Sequence, residues 1–174
     1  EAALHGDAFA LETSERGANE LNLLLEVAKD VGAAVTEEEL YGAAAQAAAR
    51  ACGVDRCSIL LRHSVSESLV PVTRRFAEVA DNERTEGLPD SPPSLGLDTL
   101  PRMIADVVQL QQPAVLLEDG DEHSGSSGWL KLFQARSALV VPLVHQGKTA
   151  GVLSLEHLHE ARACSQHQTQ LATT

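Results

Sequence analysis

Apolar positions along the chain recur at helical spacing between Ser14 and Val35, which predicts a first helix there. Leu23 and Val27 widen its apolar arc to about half of the circumference, whereas a helix that packs on one side needs only about 100°. We therefore expect this helix to contact both its own sheet and a second copy of the chain. The expected dimer-interface residues are Leu21, Leu24, Val27 and Val31.

A second helix is predicted to follow at once. Thr36 and Glu39 have the spacing of a capping box, in which each side chain satisfies a backbone N–H of the other residue. The interior from Ala43 to Ala51 is almost entirely alanine, so this helix should lie close to a sheet. Gly53 stands where a left-handed residue would end it.

Short apolar runs separated by turns predict strands over the remainder of the chain. A third helix is expected to begin at a capping Asp98, a short helical turn is expected from Trp129 to Phe133, and a last helix should begin at Ser165. Long loops are expected at 81–96 and 118–128. The predicted strands are 57–62, 69–76, 114–117, 138–144 and 150–155, the last two joined by a turn at 145–148.

Neighbouring strands joined by short turns indicate an antiparallel sheet with helices on its faces, an α+β fold. Residues 1–13 carry no pattern and are expected to be disordered or a linker. Residues 14–174 are expected to form one domain, with the sequence ending inside its last helix.

The charge of the chain narrows the possible partners. A formal net charge of -12 disfavours nucleic acid and anionic membranes as partners. No apolar run approaches the roughly 20 residues of a membrane span, and no signal peptide is recognisable. Three cysteines without a CxxC pair are typical of a reducing compartment, so we expect a cytoplasmic protein.

The closing hairpin and the helix–strand unit before it resemble the GAF family of sensory domains. The residues that carry the resemblance are Val141-Pro142-Leu143, Gly147, Gly151-Val152-Leu153 and Leu155-Glu156, together with the segment ELYGAAAQAAARACGVDRCSILLR. The resemblance implies a GAF/PAS-like fold with a central antiparallel sheet of five to six strands. The terminal helices would lie on one face, and a shorter helix with loops would cover a pocket on the other face.

The same resemblance implies a sensory, non-catalytic domain of a multidomain bacterial signalling protein. It would bind a small ligand and relay the signal through dimerising terminal helices to an attached output module, such as a histidine kinase of a two-component system or a cyclase. Two alternatives remain open: a ligand-free dimerisation spacer, in which Trp129 and Leu130 fill the pocket, and a thiol-based methionine sulfoxide reductase.

The resemblance also indicates where a ligand would lie, beside the third helix and the long loops. The candidate pocket residues are Phe76, Leu100, Ile104, His123, Ser126, Trp129, Phe133 and Val141. In this set, aromatic and aliphatic side chains would form the walls, and the polar side chains would orient the ligand.

No cofactor and no metal are predicted. Bilin-binding relatives commonly carry a Cys-His pair, which is absent here, and only His123 is placed to be a haem ligand near the pocket mouth. His157 and His159 alternate along a strand, but two ligands make a weak metal site. The spacing of Cys52, Cys57 and Cys164 does not reproduce the cysteine cluster of a methionine sulfoxide reductase.

Overall fold

A computed structural model of the 174-residue chain describes residue 32 and residues 36–78, 93–118 and 127–161. Apart from Gly32, which is helical, the first predicted helix with its four candidate interface residues lies outside the described residues, and so does the predicted helix at Ser165. None of the helices within these ranges is long and apolar enough to cross a membrane.

The strands of the described residues are β1 (Arg56–His63), β2 (Ser68–Phe76), β3 (Leu95–Gly96), β4 (Ala114–Leu117), β5 (Ser137–His145) and β6 (Lys148–His157). They form one six-stranded antiparallel sheet in the order β3-β2-β1-β6-β5-β4, which confirms the predicted α+β fold. The predicted strand positions are correct to within a few residues, and the short strand β3 is an addition from the end of the predicted long loop.

The predicted second helix is α1 (Glu37–Cys52), and both of its predicted ends are confirmed. The Glu39 backbone N–H donates to Thr36 Oγ1 at 3.2 Å, and the Thr36 backbone N–H donates to Glu39 Oε2 at 3.0 Å. Gly53 ends the helix at φ 61°, in the left-handed region that costs glycine little. Ala45 and Ala49 are fully buried, so the alanine-rich side of α1 does lie against the sheet.

The predicted start of the third helix at Asp98 is wrong. Residues Leu97–Thr99 form a single 3-10 turn, and the α-helix α2 (Arg102–Leu110) begins only after Pro101. The reason is the proline, whose ring disfavours helical backbone at the residue before it. Leu100 is accordingly extended, with φ -64° and ψ 142°. The predicted short helical turn is α3 (Ser127–Phe133).

The sheet separates two hydrophobic clusters because successive side chains of a strand point to opposite faces. We call the side with Ala45, Ala49 and Leu139 the α1 face. We call the other side the α2–α3 face, and its cluster contains residues of both helices packed on the strands. The buried members of that second cluster are Leu60, Leu69, Ile104, Val107, Leu116, Trp129, Leu130, Phe133, Ala135, Ala138, Val140 and Val152.

Candidate functional site

Four of the predicted pocket residues come together on the α2–α3 face. Ile104, Trp129 and Phe133 belong to its buried cluster, and Leu100 packs against that cluster. The rings of Trp129 and Phe133 stack with their centroids 4.5 Å apart. Because Trp129 is 1% exposed and Phe133 is 0% exposed, these two aromatic side chains fill the centre of the face rather than line an open space there.

The other predicted pocket residues do not join that group. Val141 belongs to the cluster of the α1 face, so its assignment to the pocket is corrected: along β5, Val140 points to one face and Val141 to the other. Phe76 lies half-buried at the end of β2, with the Arg56 guanidinium carbon 5.7 Å from its ring centroid. His123 and Ser126 lie outside the described residues.

An open cavity of about 340 Å³ lies at one end of the α2–α3 face, between α2 and the turn that joins β5 to β6. Of the predicted pocket residues that the structure describes, only Leu100 lines it. Its apolar walls are Leu97, Leu100, Ala105 and Val108, and its polar walls are Arg62, Gln109, Gln111, Lys148 and Thr149.

Two hydrogen bonds join the C-terminal part of α2 to the hairpin across this cavity. Thr149 Oγ1 donates to the Val108 carbonyl at 2.7 Å, and Gln111 Nε2 donates to the Gly147 carbonyl at 2.9 Å. A molecule bound in the cavity would therefore contact both α2 and the β5–β6 hairpin, to which α2 is hydrogen-bonded. Sequence reasoning did not find this site, because its walls come from segments that meet only when the sheet is assembled.

A buried ion pair lies further along the same face. Arg56 Nε donates to Glu156 Oε2 at 2.5 Å, and these side chains are 1% and 0% exposed. Arg56 Nη2 also donates to the Phe133 carbonyl, which holds the end of α3 against β1. Burial raises the pKa of the Glu156 carboxyl above its ordinary value, although the charge and hydrogen bond of Arg56 oppose that rise.

Around this pair, several polar groups have no partner. Arg74 lies on β2 with its guanidinium carbon 5.5 Å from the Phe133 ring centroid. Its Nε and Nη2 atoms are buried without a hydrogen-bond partner, as are Ser58 Oγ and Glu156 Oε1. Burial lowers the pKa of Arg74, and the charge of Arg56 lowers it further, while Glu156 raises it.

The sequence did contain a signal for this ionic cluster. Arg56 begins a strand in which four of the next five residues are apolar, and Glu156 stands near the end of another largely apolar strand. An unpaired charge inside an apolar strand would cost much free energy to bury. Two opposite charges within apolar strands therefore indicate a buried ion pair between neighbouring strands. The strand register does place Arg56 opposite Glu156.

Within the described residues, the cysteines and histidines are not arranged for thiol or metal chemistry, and Cys164 lies outside those residues. Cys52 and Cys57 lie buried on the α1 face, where burial, above all, raises the pKa of the Cys57 thiol well above its ordinary value. His157 is buried with Nδ1 4.0 Å from Asp55 Oδ2, whereas His159 is exposed. Among the residues that the structure describes, no three His, Cys, Asp or Glu side chains are grouped to hold a metal ion.

Within the described residues, the architecture is an α+β domain: an antiparallel sheet with one helix on one face and two short helices beside a cavity on the other. The family model of the GAF domain matches residues 36–174, so the chain belongs to the GAF domain family. No curated protein sequence matches the chain.

Solved structures share this fold at low sequence identity. The GAF domain of a phosphoenolpyruvate-protein phosphotransferase from Coxiella burnetii is 19% identical, with a TM-score of 0.65 and 89% of each chain covered. A fragment of a methyl-accepting chemotaxis protein is 16% identical, with a TM-score of 0.64, 84% of this chain and 87% of the other covered. The phycocyanobilin-bound GAF domain of a cyanobacterial phytochrome is 16% identical, with a TM-score of 0.65, 87% of this chain and 86% of the other covered.

Proposed function

We propose that this GAF domain is a non-catalytic sensory module of a multidomain bacterial signalling protein in the cytoplasm, and that it binds a small ligand on its α2–α3 face. The observation that supports this most directly is the cavity of about 340 Å³ beside α2. Ligand pockets typically have volumes of roughly 300–1,000 Å³ and combine mostly apolar walls with a few polar groups. This cavity is at the small end of that range, and its described walls combine four apolar residues with five polar or charged ones, which suits a small polar ligand.

The contacts of α2 suggest how binding would be relayed. Hydrogen bonds of Thr149 and Gln111 already join α2 to the β5–β6 hairpin. A ligand between the helix and the hairpin would therefore favour one position of the helix over another. Strand β6 also contributes Leu153 and Leu155 to the α1 face. In this proposal the change crosses the sheet to the terminal helices, which dimerise through Leu21, Leu24, Val27 and Val31 and act on the output module.

The test is a screen of small metabolites by thermal unfolding, applied to the natural chain and to Ala105→Phe. The new ring would occupy the cavity, so a ligand that stabilises the natural chain should not stabilise the variant. A ligand at 100 times its Kd should add about 2.7 kcal/mol, which is roughly 5–10 °C in Tm for a chain of this size. Ala150→Phe, at an exposed position of β6, is the matched control. Equal stabilisation of both variants, or no stabilising compound, would contradict the proposal.

A second candidate, the ligand-free dimerisation spacer, is favoured by one observation. Trp129, Leu130 and Phe133 fill the centre of the α2–α3 face, with at most 4% of any of them exposed. A spacer would dimerise without any compound that stabilises it through the cavity, so the same screen separates the two candidates. The reductase alternative gains no support from the described cysteines, because Cys52 and Cys57 lie on the opposite face and burial raises the pKa of the Cys57 thiol.

A further inference from the structure

We propose that the molecule bound in the cavity beside α2 is a small organic anion with a single negative charge and an apolar body, and that Lys148 and Arg62 attract its charged group. This inference rests on the proposed function and narrows it, because the cavity is the same but the class of ligand is now specified. Cations, zwitterions and neutral molecules are excluded as the natural ligand.

The first observation is the charge of the cavity walls, which is opposite to that of the chain. Asp and Glu outnumber Lys and Arg in the sequence by 25 to 13. None of the described residues that line the cavity is acidic, whereas Arg62 and Lys148 are basic. The ammonium group of a ligand would find no carboxylate on these walls and would meet two like charges, which is unfavourable. The walls therefore favour an anion over a cation or an amino acid.

The fold brings these two basic residues to the same end of neighbouring strands. Leu61 of β1 is paired with Gly151 of β6. Arg62 directly follows Leu61, and Lys148 begins β6 three residues before Gly151. Both positive charges therefore come from the sheet side of the cavity, although the two residues are far apart in the sequence.

The second observation is how these charges are paired. Arg62 Nη2 donates to Glu67 Oε2 at 2.8 Å, so the charge of Arg62 is partly balanced. Among the residues that the structure describes, no acidic side chain lies within ion-pair distance of Lys148. Two positive charges and one negative charge leave a single positive charge at the cavity. A singly charged anion balances it, whereas a dianion exceeds it.

The third observation is the apolar side of the cavity. Leu97, Leu100, Ala105 and Val108 are half-buried walls, and all of them except Ala105 also pack against the buried cluster of the α2–α3 face. An apolar body that covers these side chains would remove their remaining surface from water, which is favourable in proportion to the area covered. An inorganic anion has no such body, so the anion is expected to be organic.

Compounds that share one carbon skeleton and differ in charge test the inference on the natural chain. Hexanoate, hexanamide and hexylamine form one set, and benzoate, benzamide and benzylamine form another; each compound should be titrated by calorimetry near neutral pH. We expect at least one acid to bind about tenfold more tightly than its amide, and its amine not to bind. Raising the salt concentration from about 0.01 M to about 1 M should weaken the acid but not the amide, because salt screens exposed charges.

Charge reversal at Lys148 tests the residue assignment. Lys148→Glu should weaken the binding of that acid about tenfold and should allow the matching amine to bind. Lys131→Glu is the matched control, because it makes the same change of charge at an exposed position of α3 that is not among the cavity walls. Its affinity for the acid should equal that of the natural chain.

The variant Ala105→Phe separates this inference from the proposed function. If an amide or an amine binds at least as tightly as its acid and loses binding in Ala105→Phe, the ligand site is supported but the anion is wrong. If no compound loses binding in Ala105→Phe, the ligand site and the anion are both contradicted. Equal weakening by Lys148→Glu and Lys131→Glu, or tighter binding of the dianion phenyl phosphate than of benzoate, would also contradict the anion.

Discussion

At the scale of single residues, the buried pair of Arg56 and Glu156 is the most consequential interaction of the α2–α3 face. It joins β1 to β6 and, through the Phe133 carbonyl, also holds α3. Such pairs add little net stability compared with apolar residues, but removing one partner leaves a buried charge without compensation. The main effect of the pair on stability is therefore the loss of unfolding free energy when one of its two residues is replaced.

We predict that Arg56→Met lowers the free energy of unfolding by about 3 kcal/mol at pH 7. Burial raises the pKa of Glu156, and without Arg56 the two largest influences that lower it disappear, so the pKa rises further although Arg74 and Ser154 still lower it. The folded chain then holds a proton that the unfolded chain releases. Stability is consequently lost as pH rises through the raised pKa and regained as pH falls towards the ordinary carboxyl range.

Urea unfolding at several pH values measures this effect directly. The deficit of Arg56→Met should be largest at neutral pH and should shrink on acidification, and the double variant Arg56→Met with Glu156→Leu should recover most of it. Arg136→Met removes an exposed pair with Glu118 and should unfold like the natural chain. A deficit that is independent of pH would show that Glu156 is not the cause.

At the scale of elements, strands β1 and β6 approach so closely that one position admits only glycine. A Cβ atom on Gly151 would lie 2.3 Å from the Leu60 carbonyl oxygen and 3.0 Å from Leu61 Cα, both of them backbone atoms that cannot turn aside. The pairing of the two central strands thus depends on the missing side chain.

We predict that Gly151→Ala destabilises the chain by about 3 kcal/mol, because the strands must separate to admit the methyl group. Gly128→Ala is the control: its Cβ would make an ordinary contact of 3.7 Å with Pro101. That variant should unfold like the natural chain or slightly later, since alanine is the better helix former. Equal unfolding midpoints for both variants in urea would contradict the role given to Gly151.

The elements also show what the sequence could and could not predict. Helix α1 was predictable to both ends, because its capping box and Gly53 are local features. The start of α2 was mispredicted because Asp98 is a good cap by composition, but Pro101 follows it and prevents helical backbone at Leu100. Val141 was placed on the wrong face although its alternation with Val140 was available from the sequence.

The candidate sites were less predictable than the fold. Arg62 and Lys148 line one cavity but are separated by most of the domain along the chain, and strand pairing alone brings them together. The unpartnered edge of Arg74 likewise depends on how the side chain is turned, which no spacing of residues specifies. Local patterns therefore predicted the elements, and only tertiary contacts defined the sites.

At the scale of the whole molecule, the two faces of one sheet have different tasks in the proposed function. The α1 face holds an apolar cluster under α1, and the α2–α3 face holds the cavity and the ionic cluster. In the proposed function, the ligand binds on the α2–α3 face and the partner subunit contacts the terminal helices.

The proposed dimer has its own test. We predict that the natural chain is dimeric in sedimentation equilibrium at micromolar concentration, because the first predicted helix has an apolar arc too wide for one contact. Leu24→Lys with Val27→Lys should yield monomers, since two charges would have to be buried in the interface. Glu26→Lys, on the polar side of that helix, is the control and should remain dimeric. A natural chain that is monomeric at high concentration would contradict the interface.

Site-resolved NMR tests the central claim, ligand binding beside α2, most directly. A compound that stabilises the natural chain but not Ala105→Phe should be added while backbone amide shifts are followed. We predict that the largest shifts lie around the cavity, at Ala105, Val108, Lys148 and Thr149. Shifts confined to the α1 face, around Ala45 and Ala49, or shifts that persist unchanged in Ala105→Phe, would contradict the account.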